Sequence, residues 1–125
     1  MITTNESKED YLERILRLQE SGNSKVHAVD IAESMGFSKA SVSIALKKLE
    51  ESHLVSVGEK QVLSLTEEGR KIAKKIYERH QIIGGIFIAL GVPKEIAYED
   101  ACKVEHDLSD ETFQARKNYY LTELN

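Results

Sequence analysis

The sequence predicts a mainly α-helical protein with one short β-hairpin in its first half. Three observations carry this reading. Apolar residues recur at three- and four-residue spacing through most of the chain. Only Val55-Ser56-Val57 and Gln61-Val62-Leu63-Ser64-Leu65 alternate with period two, around Gly58-Glu59-Lys60. Capping residues precede the periodic stretches and glycines follow them.

The elements follow in order. Ser7 caps a first helix, with Asp10 three residues on as the box acid. Tyr11, Leu12, Ile15, Leu16 and Leu18 give it an apolar stripe, and Gly22 ends it. A second helix covers Ala28 to Met35, with Ile31 and Ala32 inward, and Gly36 stops it. Ser38 caps a third helix from Lys39 to about Ser52, whose apolar face is Val42, Ile44 or Ala45, Leu46 and Leu49. Two short helices joined at Gly36-Phe37-Ser38 have helix-turn-helix spacing, and the hairpin behind them makes a winged helix. Thr66 caps a fourth helix that runs to about Leu90 and closes at Gly91. Glu67 and Glu68 stand in its first turn, at the positive end of the helix dipole. Pro93 opens a fifth helix at its first position, running to about Asp107. Ser109 caps a last helix, with Asp110 and Glu111 in its first turn. The division is then a winged helix-turn-helix DNA-binding domain over 1–70 and an all-helical dimerisation and metal-binding domain over 71–125, joined rigidly by the fourth helix.

Composition narrows the function classes. In 125 residues, 41% are hydrophobic and 30% charged, which suits a soluble helical protein. The longest apolar run, Ile82 to Val92, is too short to span a bilayer. The start, Met1-Ile2-Thr3-Thr4-Asn5, has no basic stretch before an apolar one, so no signal peptide is expected. One cysteine forms no internal disulfide, which fits a reducing cytoplasm. The net charge of −4 is awkward for a DNA binder, because phosphate contacts need Lys and Arg. Divided after Thr66, the halves carry 8 basic against 10 acidic residues and 9 against 11, so neither half is basic. Locally, Ser38 to Leu49 holds Lys39, Lys47 and Lys48 and no acid.

A recognition helix presents its N-terminal residues to base edges in the major groove. Here these are Ser38, Lys39, Ala40, Ser41 and Ser43. Lys39 suits a guanine edge or a phosphate, and Ala40 a thymine methyl. Lys47 and Lys48 suit phosphates, and Lys60 at the wing tip suits backbone. The competing reading is a solvated surface, and the order of elements argues against it.

Cys102-Lys103-Val104-Glu105-His106 is the most informative stretch. On a helix, Cys102, Glu105 and His106 share one face and offer a thiolate, a carboxylate and an imidazole. That mix suits a borderline divalent metal such as Fe(II), Zn(II) or Ni(II). Taken singly, Cys102 reads as a small buried hydrophobe, and Glu105 and His106 as a solvated face. Three ligands from one helix leave the sphere incomplete. Asp10 and Glu13 on the first helix, and His80 on the long one, are the further candidates, whereas His27 and His53 read as surface residues.

These residues carry a resemblance to a known family. Glu9-Asp10-Tyr11-Leu12-Glu13, Asp30-Ile31-Ala32-Glu33, Ser41-Val42-Ser43, Leu63 to Gly69, Arg79-His80 and Cys102 to His106 resemble the diphtheria-toxin-repressor family of metal-dependent regulators, from Glu9 to about Ser109. The resemblance implies a homodimer that binds a palindromic operator in double-stranded DNA with metal as co-repressor. Asp10, Glu13 and His80 resemble the manganese branch, and Cys102 the iron branch, where the manganese branch has glutamate. Glu105 and His106 suit both. The iron branch has an ancillary site using a glutamate where Gly84 stands and a histidine where Tyr98 stands, so that site is not expected. Nor is the SH3-like third domain of many iron regulators.

The expectation is one strong site from Asp10, Cys102, Glu105 and His106, with Glu13 and His80 offering a second. Because Mn(II) prefers oxygen and nitrogen donors, the thiolate favours Fe(II), with Mn(II) second and Zn(II), Co(II) or Ni(II) as possible ligands in vitro. A metal drawing ligands from both modules acts as a switch, because its affinity then differs between two arrangements.

Ile82, Ile83, Ile86 and Phe87, with Phe113, Tyr119, Tyr120 and Leu121, read as a helical dimer interface. Gly84-Gly85 inside a helix costs stability and reads as a point of close helix approach. Two rivals stand beside this reading. One is a winged-helix regulator not controlled by metal, with Cys102 buried. The other is a metal-dependent hydrolase, against which the lack of a His-Glu-x-x-His pattern and of a general base beside an open metal position argue. No membrane partner or organic substrate is expected.

Overall fold

The computed structural model describes residues 5–124, with side chains over 7–122. The fold class is as expected: mainly helical, with one two-stranded sheet. The chain divides into two compact units, Met1–Lys75 and Ile76–Asn125, with the division inside the longest helix. No helix among the described residues is long and apolar enough to cross a membrane.

In the first unit, α1 (Asn5–Glu20) packs on α2 (Ala28–Met35) and on β2 (Leu63–Leu65). α3 (Lys39–Glu51) packs on α2 and on β1 (Val55–Val57). Leu12, Ile15, Leu16, Ile31, Val42 and Val55 are fully or almost fully buried. Each such side chain contributes roughly 1.5–3 kcal/mol relative to exposure. α1 is already helical at Asn5, so Ser7 lies inside the helix and does not cap it. Asn5 and Glu6 suit a helix N-terminus as well as Ser7 does, and the helix starts with them.

α2 matches its expected bounds and ends at Gly36 in the left-handed region, φ 72°. His27, read as a surface residue, precedes α2 and donates its N–H to the Asp30 carboxylate at 2.8 Å. Ser38 caps α3, accepting from the Ser41 N–H at 3.1 Å. Val42, Leu46 and Leu49 are buried, but Ile44 is 60% exposed, so the inward choice is Ala45. His53 is exposed and turns the chain out of α3 with φ 60°.

The hairpin pairs Val55 with Leu65 and Val57 with Leu63, antiparallel. Period-two burial puts Val55 and Leu63 inward and Ser56 and Ser64 outward. The second strand starts at Leu63, two residues later than expected. A single 3-10 turn over Glu59–Gln61 takes up the difference. The left-handed residues of this turn are Lys60 (φ 57°) and Gln61 (φ 62°), not Gly58.

α4 (Glu67–Ala89) opens on Thr66, whose hydroxyl accepts from the Gly69 N–H at 3.1 Å and donates to the His53 carbonyl at 2.8 Å. This ties the start of α4 to the end of α3. A Cβ at Gly69 would overlap the Leu54 carbonyl oxygen, so the strand entry and the helix meet where only glycine fits.

In the second unit, α5 (Lys94–Val104) follows Pro93, which stands just before its first turn, one position earlier than expected. α6 (Asp110–Tyr119) is capped by Ser109, which accepts from the Thr112 N–H at 3.1 Å. A wider π turn, Tyr120–Leu124, follows. Ile83, Ala101 and Phe113 form the core, with Ile82, Phe87 and Leu108 packed against it. Ile83, Ile86 and Phe113 are thus buried within one protomer, which corrects their place in the expected dimer face. Periodicity alone does not distinguish the two kinds of burial. Tyr119 and Leu121 remain exposed, as do Ile88, Leu90 and Ile96. Gly84 and Gly85 are met by tyrosine rings, Tyr98 and Tyr120 respectively, and not by a helix backbone.

Gly69→Ala is expected to lower unfolding free energy by about 1–3 kcal/mol through overpacking against the Leu54 carbonyl. Urea unfolding followed by circular dichroism measures this. An unchanged midpoint would mean that the contact relaxes without strain.

Candidate metal centre

Glu105 sits where α5 ends. It keeps helical dihedrals (φ −62°, ψ −27°) and donates its N–H to the Ala101 carbonyl at 3.0 Å. Its own carbonyl accepts from Arg79 Nη1 at 2.8 Å, so a continuing helix does not use it. The Asp107 N–H tightens the exit by reaching the Val104 carbonyl at 3.2 Å. The helix therefore stops at Val104 and not near Asp107, and His106 lies in a turn. Glu105 keeps its helical place three residues after Cys102, and His106 follows it in the turn, still 3.7 Å from the carboxylate.

The Glu105 side chain is fully buried, and among the described residues its oxygens make no well-aligned hydrogen bond; the groups that face them are imidazoles. Two imidazoles flank it. His80 Nδ1 lies 3.4 Å from Oε2, and His106 Nε2 lies 3.7 Å from Oε1. Cys102 Sγ lies 3.5 Å from the same His80 Nδ1. His80, Cys102 and Glu105 each direct one ligand atom to a group within 4.8 Å of one another. His80 and Glu105 are buried, whereas Cys102 reaches the surface. Cys102 is therefore not the buried small hydrophobe of the competing reading.

A buried carboxylate without donors is costly unless a positive charge answers it. In the metal-free site His80 supplies one. Burial by itself lowers the imidazole pKa, but hydrogen bonds and charge attraction from Cys102 and Glu105 outweigh it and raise the pKa to about 9. Nitrogen, sulfur and oxygen donors around a charge-demanding cavity fit a borderline divalent cation. Such a cation would take over the role of the His80 proton.

The sequence reading set His80 apart with Glu13, whereas the second unit puts it beside Cys102 and Glu105. Asp10 and Glu13 lie three residues apart on α1 of the first unit, and buried Glu13 faces Arg17 at 3.8 Å. One contributor escaped the sequence reading in this role. Tyr98 stacks on His80, with ring centroids 5.0 Å apart and planes 27° apart, and occupies the space over Gly84. Its placement four residues before Cys102, on the same side of α5, was the available signal.

In the first unit, Ser38, Lys39, Ala40, Ser41, Ser43, Lys47, Lys48 and Lys60 are all exposed. Ser38 and Ser41 bond to each other, Ser38 Oγ donating to Ser41 Oγ at 2.9 Å. Ile44 adds an exposed apolar side chain to the recognition helix.

Comparison with known proteins now decides the family. Residues 3–63 match the description "Iron dependent repressor, N-terminal DNA binding domain" and residues 66–119 match "Iron dependent repressor, metal binding and dimerisation domain". The chain belongs to the iron-dependent-repressor family. This bears out the resemblance to diphtheria-toxin-repressor regulators, and with it the reading as a metal-responsive, DNA-binding transcriptional regulator. The transcriptional regulator MntR of Escherichia coli is 39% identical over 108 residues, covering 86% of this chain and 68% of that protein. An uncharacterized HTH-type transcriptional regulator of Methanocaldococcus jannaschii is 36% identical, covering 90% of each chain. Among solved structures, the manganese regulator SloR matches with a TM-score of 0.79 at 30% identity over 91% of this chain and 53% of its own. The chain thus spans about half the length of that solved relative.

His80 yields a pH prediction for the metal-free protein. Its folded pKa, about 9, exceeds the ordinary 6.5, so its contribution to stability is full below pH 6.5 and is lost as pH rises through 9. Thermal unfolding from pH 6 to 9.5 is expected to show this fall, and His80→Gln to flatten it. Metal affinity is expected to move the opposite way over the same range, because the ligand must lose its proton. A metal-free stability that rises over that range would overturn the assignment.

Proposed function

We propose that this family member is a repressor whose homodimer binds a palindromic operator in double-stranded DNA when Fe(II) occupies the site around Cys102, Glu105 and His80. The observation that carries the metal reading is the buried Glu105 carboxylate, with no well-aligned hydrogen bond and ringed by His80, Cys102 and His106. The thiolate supports Fe(II), since Mn(II) prefers oxygen and nitrogen donors. A second reading, Mn(II), is supported by the manganese regulator SloR among the structural relatives. Asp10, Glu13 and His106 are proposed as the remaining ligands, Asp10 and Glu13 coming from the DNA-binding unit. A cation that draws ligands from both units binds one arrangement of them more tightly than another, and that difference is what switches DNA affinity.

On the DNA side, the proposed reading helix is α3. Lys39, Ala40 and Ser43 face base edges, and Ile44 joins Ala40 as a partner for thymine methyls. Lys47, Lys48 and the wing's Lys60 hold phosphates, and Ser38 and Ser41 shape the helix start. The domain's lack of net positive charge makes metal and dimerisation all the more necessary for tight binding.

An anaerobic DNA-mobility assay with the protein's own upstream region tests the proposal. Fe(II) is expected to induce a shift that chelator reverses, and Cys102→Ala is expected to abolish it. A shift with Mn(II) and none with Fe(II) would select the second reading, and a shift indifferent to chelator would remove metal control altogether. Lys39→Ala is expected to weaken binding and, if Lys39 holds a phosphate, to lower the salt slope by about 1. An unchanged slope with relaxed sequence preference would assign Lys39 to a base instead.

A further inference from the structure

Arg79 is the neighbour of His80 on α4, and its guanidinium is buried at 4% exposure. Nη1 donates to two backbone carbonyls, those of Glu105 and Leu108, each at 2.8 Å. Nη2 donates to Asp110 Oδ1 at 2.6 Å. The guanidinium carbon stands 5.2 Å from the centre of the Phe113 ring. One side chain therefore grips the end of α5, the connecting turn and the first residue of α6.

We infer that Arg79 is a positioning residue for the metal centre, setting where the Glu105 carboxylate stands relative to the His80 imidazole. The inference rests on reading His80, Cys102 and Glu105 as metal ligands. Two observations carry it. The Glu105 carboxylate meets only the two imidazoles, at 3.4 and 3.7 Å, and no well-aligned hydrogen bond anchors it, so its position is set chiefly by its backbone. Arg79 binds that backbone at Glu105 itself, and it does so from the residue next to His80. Two ligands thus share a single rigid frame, with the guanidinium as the cross-piece. A planar fork reaching two carbonyls and a carboxylate is specific to arginine, and the three donors of a lysine ammonium do not reproduce it.

The test uses Co(II) as a spectroscopic stand-in on the full chain. Wild type, Arg79→Lys, Arg79→Met and Lys117→Ala are titrated with Co(II), and thermal unfolding is recorded for each. Lys117→Ala removes the 2.7 Å contact with Glu78 between α6 and α4 and serves as the purely structural control. Wild type is expected to give a thiolate-to-cobalt charge-transfer band. Arg79→Met is expected to weaken Co(II) binding about 10–100-fold and to change the ligand-field spectrum even at saturation, with Arg79→Lys intermediate. Lys117→Ala keeps the wild-type spectrum whatever its melting temperature. If Arg79→Met does not fold, Arg79→Lys decides alone. Absence of the thiolate band in wild type overturns the metal reading and this inference with it. A wild-type band that persists unchanged in folded Arg79 variants at saturation overturns the role of Arg79 only.

Discussion

The Glu105 carboxylate, fully buried and faced only by imidazoles, is the constraint on which the candidate site depends. Its charge demands an answer, and the surroundings are built to give one. Two imidazoles stand against its two oxygens, and a thiol stands against one of those imidazoles. Without metal the answer is a proton held on His80. On the proposed function a cation would replace that proton, so the buried carboxylate would be compensated in either case.

This arrangement also bears on an acidic DNA-binding protein. With a net charge of −4, the chain repels the phosphate backbone it has to approach. The lysines of α3 and the wing supply local attraction, but they are few. On the proposed function, a bound divalent cation would reduce that acidic excess.

The parts legible in the sequence are those decided locally. Ser38 and Ser109 cap the helices they precede, and α2 begins and ends where its apolar pair and Gly36 put it. These outcomes depend on residues within four positions of each other. The parts that were not legible depend on distant partners. α5 stops at Val104 because a guanidinium 26 residues away takes the Glu105 carbonyl. Ile83 and Phe113 turn inward onto Ala101, a partner from a third helix that periodicity does not reveal. The wing turn falls on Lys60 and Gln61 although a glycine is at hand. For the candidate site, the thiolate, carboxylate and imidazoles were all named from the sequence. Glu105 stands beside Cys102 and His106 as their spacing suggested, whereas the place of His80 was not legible, because it comes from α4, 22 residues before Cys102.

The fit of Tyr98 over Gly84 couples these two positions. Any side chain at 84 needs volume that the Tyr98 ring already holds, so a substitution there requires the ring to move. The same ring lies on His80. A substitution at a residue with no ligand atom thus reaches the proposed metal site through the ring.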